Sequence, residues 1–298
     1  MRQFLVIGLF TGAIYGLLAV GLVLVYKGAR VFNFAQGEFG TVAAYVVWFF
    51  HSQGNAPYGV AVLAGLIVAV ALGLIVERLV VRPLFHASRI TLLVATVGVA
   101  LFIIGATFVG CCENFEAFGK AEARVLAPAV GGNALNILGT GVPPQQVLAL
   151  VILGALAVAL WAFFSRTNLG LAVLATSQDP LATRIVGIGL PGMSRFIWAF
   201  AALLGGIAGI VAAPISLLTP GFMTTTWLVP AFAGAILGGM TSLPGAFIGG
   251  LLVGVAQNLG IYFLGQRLML PGPSELTVFA LLLVVLLARP QGLLGKEA

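Results

Sequence analysis

Apolar residues in this chain run in long blocks rather than in alternation. The stretch "GVAVLAGLIVAVALGLIV" (59–76) contains no charge and no period of two. About 18 such residues suffice for a helix to cross a bilayer, and a transmembrane β-barrel shows alternating segments of about ten residues instead. The blocks predict spans near 4–26, 31–50, 58–77, 90–110, 146–164, 194–217, 226–243, 245–265 and 275–288. The reading is an all-α, polytopic membrane helix bundle of 8–9 transmembrane helices, the lower number holding if 31–50 or 226–243 does not cross fully. The whole chain, 1–298, is expected to form one transmembrane domain.

Composition sharpens this. Of the 298 residues, 61% are hydrophobic and only 7% charged, where a soluble domain carries about 25% charged residues. The net charge of +6 does not point to nucleic acid, because the cations are scattered through short loops. Ten of the fourteen fall on one side of the predicted spans: Lys27, Arg30, Arg78, Arg82, Arg89, Arg166, Arg184, Arg195, Arg289 and Lys296. That side is cytoplasmic by the positive-inside rule, which puts the N-terminus outside and the C-terminus inside. The N-terminal run is too long for a signal-peptide core and reads as a retained span. Glycines four residues apart (Gly8, Gly12 and Gly16; Gly205 and Gly209; Gly234 and Gly238; Gly245 and Gly249; Gly250 and Gly254) predict close backbone packing between helices in lipid. Cys111 and Cys112, being adjacent, make a poor structural disulfide.

The polar inventory is short. His51 and His86 stand alone near span ends, no metal-ligand cluster is visible, and no G-x-x-x-x-G-K-[ST] phosphate loop is present. Any uphill transport would therefore draw on a partner or on an ion gradient. Two segments remain. "RVFNFAQGEFG" (30–40) places Asn33, Gln36 and Glu38 around Gly37 at the start of a span. A carboxylate at membrane depth costs at least about 2.5 kcal/mol and normally faces protein or a water-filled path. Asn33, Gln36, Gly37 and Glu38 are accordingly candidates for a broken helix entry at or near a permeation path; alternatively Glu38 pairs with Lys27 or Arg30 at the cytoplasmic interface and Asn33 caps a helix. The second segment is "SQDPLATRIVGI" (177–188). Asp179 suits an N-cap and Pro180 the first helical position, Leu181, Ile185 and Ile188 share a face, and Gly187 or Gly189 can end the helix. A short cytoplasmic helix with an apolar face either docks into a groove of another protein or lies back on the bundle.

The stretches "GLVLVYKGARVFNFAQGEFG" (21–40), "ERLVVRPL" (77–84), "QDPLATRIVGI" (178–188), "AGAILGGMTSLPGAFIGGLLVGVAQN" (233–258) and "LLLVVLLARPQGLLG" (281–295) together resemble the permease subunits of branched-chain (hydrophobic) amino-acid ABC importers of the bacterial inner membrane. The resemblance implies a transport subunit rather than an enzyme. Its partners would be a second, similar permease, two cytoplasmic ATPases that bind ATP and magnesium, and an extracytoplasmic substrate-binding protein; this chain would hold no cofactor. Asp179, Pro180, Leu181, Arg184, Ile185 and Gly187 would then form the coupling helix seated on an ATPase. "NFAQGE" answers to the family's Asn-Phe-Ala-His-Gly-Glu, with Gln36 where His is usual. Leu174, Gln257 and Pro230 stand where Arg, Glu and Lys occur in relatives, which leaves urea, amides or other small solutes open as substrates. An ion-coupled transporter using Glu38 is the contrasting expectation; it predicts a second broken helix, of which "ISLLTPGFMTTTWLVP" (215–230) is the faint candidate.

Overall fold

The computed structural model describes residues 1–85, 87–111, 126–137, 140–178, 180–185, 187–289 and 291–295. Its helices are α1 (Arg2–Ala29), α2 (Gln36–Trp48), α3 (Tyr58–Val76), α4 (Arg89–Cys111), α5 (Pro144–Arg166), α6 (Asn168–Gln178), α7 (Pro180–Ile185), α8 (Leu190–Ala212), α9 (Val229–Gly238), α10 (Leu243–Gly260) and α11 (Pro273–Ala288). Wider π-helical turns prolong α2 over Phe49–Gln53, α3 over Glu77–Val81 and α10 over Ile261–Arg267, and a fourth, Met223–Leu228, leads into α9. The one sheet among the described residues is a hairpin of β1 (Leu135–Ile137) and β2 (Thr140–Val142), with Leu135 opposite Val142.

Six helices are long and apolar enough to cross a membrane: Arg2–Ala29, Tyr58–Val81, Arg89–Val109, Pro144–Arg166, Leu190–Ile215 and Leu243–Arg267. Met223–Gly238 and Pro273–Ala288 are shorter apolar helices, and α2 has 13 residues. Each predicted span thus corresponds to a helix, but the two that were doubtful from sequence are among the short ones, α2 and Met223–Gly238. Helix starts follow local chemistry. Ser242 caps α10 by accepting from the Gly245 N–H at 3.1 Å, with a proline in the first turn, where the missing donor costs nothing.

Burial separates the helices by role. The most apolar windows of α1 and α8 are 78% and 72% buried, while those of α4 and α5 are 22% buried. α4 and α5 therefore give most of their surface to lipid or to another chain.

Contacts divide the chain into two compact units that interleave in sequence. One comprises Leu24–Ala127 and Phe164–Leu228. In it α2 packs against both α3 and α8, at a separation set by glycine. A Cβ on Gly209 would lie 2.2 Å from the Gly40 carbonyl oxygen, and one on Gly73 would lie 2.8 Å from the Trp198 oxygen. The other unit comprises Met1–Val23, Pro128–Phe163 and Val229–Ala298. There a Cβ on Gly254 would meet Gly12 at 2.2 Å, and one on Gly238 would meet Gly245 at 1.9 Å. The C-terminal segment returns onto the end of α9, with Leu293 N–H donating to the Leu237 carbonyl at 2.8 Å.

Candidate functional site

The chain leaves α1 through Arg30, whose φ of 54° is the left-handed conformation that ends helices and that few non-glycine residues adopt. Its N–H still reaches the Tyr26 carbonyl at 2.7 Å. Residues 31–35 then run as non-helical backbone beside α4. Thr96 holds this segment: its hydroxyl, 2.9 Å from the Leu93 carbonyl of its own helix and 3.2 Å from the Phe32 carbonyl, shares its proton between them and accepts from the Phe34 N–H at 3.3 Å. A side chain of α4 therefore supplies the bonds that an unwound chain otherwise lacks in a dry environment.

Asn33 restarts the helix. Its Oδ1 accepts from the Ala35 N–H at 3.0 Å, and its Nδ2 donates to Gln36 Oε1 at 3.4 Å. Gln36 Nε2 in turn donates to the Ala201 carbonyl at 2.7 Å. Ala201 is eleven residues beyond Leu190, about 16 Å along the axis of α8, half-way through that helix. α2 thus begins at the depth of the middle of α8, not at its end.

Glu38 lies one turn into the bundle and is fully buried, as are Asn33 and Gln36. Neither carboxyl oxygen of Glu38 has a hydrogen-bond partner among the described residues. The turn Met223–Leu228, with Thr224, packs on this part of α2. The Thr224 hydroxyl is itself buried without a partner. Gly37 makes this approach possible, since a Cβ there would lie 2.7 Å from Thr224 Oγ1. Thr41 Oγ1 accepts from the Met223 N–H at 3.4 Å, and Tyr45 Oη donates to the Leu218 carbonyl at 3.1 Å. The faint second break in "ISLLTPGFMTTTWLVP" is therefore real, and it packs directly on the first.

Sequence reasoning reached Asn33, Gln36, Gly37 and Glu38 and the structure brings them together. It missed Thr41, Thr96 and Thr224. The threonine run at 224–226 was the one available signal, and threonines are too common in apolar helices for that to weigh alone. The four are packed into the bundle and line neither of two grooves on this chain. One groove, about 650 Å³, runs between α2, α3 and α4 and includes Tyr45, Trp48, Phe50 and Phe102. The other, about 270 Å³, lies between Val20 of α1, Trp161 of α5 and Phe247 of α10. No group of three or more metal-ligating side chains occurs among the described residues.

In the cytoplasmic segment Asp179 lies outside the described residues. Pro180, Leu181, Arg184 and Ile185 belong to the six-residue helix α7, which Gly187 ends with a φ of +90°. Thr183 is buried and Ile185 is 80% exposed. Ile188 falls beyond the helix, with its N–H on the Thr183 carbonyl at 3.2 Å, so the expected apolar row is shorter by one residue. No pattern in the sequence announced α6, which makes this region a pair of helices rather than a loop with one.

Taken together, these elements form an interrupted multi-helix membrane bundle with a short helix, Pro180–Ile185, outside the long spans. Residues 4–288 match the family described as the permease component of the branched-chain amino acid transport system, and the chain belongs to that family. It is 30% identical to the high-affinity branched-chain amino acid transport system permease protein BraD of Pseudomonas aeruginosa, over 99% of this chain and 95% of that one. It is 28% identical to LivH of Escherichia coli, a protein of the same description, over 97% and 94%. The ribose import permease RbsC of Escherichia coli is 27% identical over 85% and 76%. Among solved structures, PsaBC from Streptococcus pneumoniae in complex with Fab shares the fold, with a TM-score of 0.54 at 14% identity, covering 97% of this chain and 92% of that one. The protein is a multi-pass membrane permease of an ABC transport system that has other subunits.

Proposed function

We propose that this chain is the permease through which branched-chain or other hydrophobic amino acids enter the cell, in a bacterial inner membrane, driven by ATP hydrolysed elsewhere. Membership of the branched-chain permease family over 4–288 carries this reading. In it the chain acts as one permease domain over 1–298. It pairs with a second homologous permease, two cytoplasmic ATPases that bind ATP and magnesium, and an extracytoplasmic binding protein, and it holds no cofactor and catalyses no reaction of its own. The segment Asp179 to Gly187, which contains α7, is the coupling element: an exposed isoleucine at the end of a short helix is what a groove on an ATPase would cover. ATPase closure pushes on α7, and the bundle rocks between outward and inward access.

The first experiment is purification of the tagged chain in mild detergent with its co-eluting proteins identified. Two ATPases and a second permease are expected, and a lone chain after cross-linking would overturn the assembly. Replacing Ile185 with Asp should abolish uptake of radiolabelled leucine while the chain remains folded in the membrane; normal uptake would remove α7 as the coupling element.

Asn33, Gln36, Gly37 and Glu38 we place beside the solute's route, at the break that opens when the bundle rocks. They are closed off in this conformation. A Glu38→Cys chain should therefore react with a small thiol reagent during turnover and resist it at rest. Equal resistance in both states would take the break off the route.

A further inference from the structure

α9, Val229–Gly238, has only 10 residues, and a helix that short is marginal without outside support. It continues the second interrupted segment, entered through the π-helical turn Met223–Leu228. Its weak point is the end at Gly238, because the last four carbonyls of an α-helix find no partner among its own residues. Here all four are satisfied. The Gly239 N–H reaches the carbonyls of Ala235 and Ile236, each at 3.1 Å. The other two are taken by the far end of the chain. Leu293 N–H donates to the Leu237 carbonyl at 2.8 Å, and Leu294 N–H donates to the Gly238 carbonyl at 3.1 Å.

The segment that supplies these donors is a tight turn after α11. Arg289 N–H still bonds to the Val285 carbonyl at 2.7 Å, and Gly292 N–H returns to the Arg289 carbonyl at 2.9 Å. Arg289 Nη1 donates across the turn to the Leu293 carbonyl at 3.4 Å. Two left-handed glycines let this turn sit on the helix end: φ is +79° at Gly292 and +98° at Gly239, a region that glycine enters without steric cost. A Cβ on Gly292 would lie 2.6 Å from Gly239 Cα and 2.7 Å from the Ile236 oxygen. One on Gly239 would lie 2.5 Å from the Gly295 nitrogen. The Leu294 side chain is 48% exposed, so the cap is made by backbone atoms. A helix is ordinarily capped by the residues that follow it directly. This one is completed from beyond two further helices, α10 and α11.

We propose that Arg289–Gly295 is a strap that caps α9 from the other end of the chain, and that the second interrupted segment keeps its helical end only while the strap is closed. Gly239 and Gly292 are positioning residues in this account, since they act by letting the strap approach. The strap rests on contacts within this chain, not on which solute passes or which subunits assemble. Its test is therefore separate from the uptake and purification experiments.

That test is hydrogen–deuterium exchange of the purified full-length chain. The Leu293 and Leu294 amides should exchange about tenfold more slowly than an unstructured tail, the scale of one backbone hydrogen bond. Gly292→Ala, and a chain ended after Arg289, should each speed exchange at the Gly238 and Gly239 amides by a similar factor. Gly272→Ala is the control: it places left-handed strain, at a φ of +59°, at the opposite end of α11, and should leave those amides as in the parent. Leu294→Ala keeps the backbone donor and should also match the parent, whereas Leu294→Pro removes the donor and should loosen the end of α9. Fast exchange at Leu293 and Leu294 in the parent chain, a truncated chain whose α9 end stays protected, equal loosening by Gly272→Ala, or no difference between Leu294→Ala and Leu294→Pro would each overturn the strap.

Discussion

Gln36 shows how much one side chain decides at the break. Its amide accepts from Asn33 and donates to a carbonyl half-way along α8, so it joins the unwound segment to a buried stretch of that helix. Replacing it with Leu strands the Asn33 donor, and leaving a buried polar group unpaired costs about 1–3 kcal/mol. Gln36→Leu should lower the thermal midpoint of the purified chain. Gln36→His restores the residue usual in the relatives that the motif resembles and keeps a ring N–H to donate, so it should stay near the parent midpoint. The motif's polar character was plain in the sequence. Its depth was not, because two outcomes fit the same letters: an interfacial carboxylate near Lys27 and Arg30, or a buried one. The bonds to Thr96 and Ala201, 62 and 165 residues away, select the second.

Glycines distinguish helices that touch from helices that face lipid. The four-residue rows predicted close packing, and Gly40 and Gly209 deliver it with backbone against backbone. Gly98 and Gly105 of α4 are just as prominent in the sequence, yet a Cβ at either meets nothing within 4 Å. Gly209→Ala should therefore destabilise the chain by about 1–3 kcal/mol, the usual cost of overpacking, whereas Gly98→Ala should leave it unchanged or slightly steadier through better helix propensity. Denaturation of the two purified variants side by side checks this, and equal losses would mean that α4 is not free on that face. The same element-level reading explains the short helices. A segment that must restart inside the bundle has no room for a full span, and α2 and the 223–238 segment begin where their neighbours are half-way across.

Ten of the fourteen cations of the chain fall on one side of the predicted spans, which sets an expected sidedness. A single cysteine placed at Asn55, between α2 and α3, should react with a membrane-impermeant thiol reagent in intact cells when Cys111 and Cys112 are replaced. One placed at Gly187 should react only after the membrane is opened. Reversal of the pattern would invert the topology and move α7 away from any cytoplasmic ATPase.

Hydrophobic length, the loop cations and the glycine rows are local or periodic properties, and the free energy of leaving water acts on each segment separately. From these the sequence alone determined a polytopic helical bundle, a break near Gly37 and a short helix after Asp179. Which residues meet across the bundle is set by contacts between segments nearly two hundred positions apart, and no local property records them. Only the tertiary structure placed Thr224 against Gly37, Gln36 at the middle of α8, and an extra helix before α7.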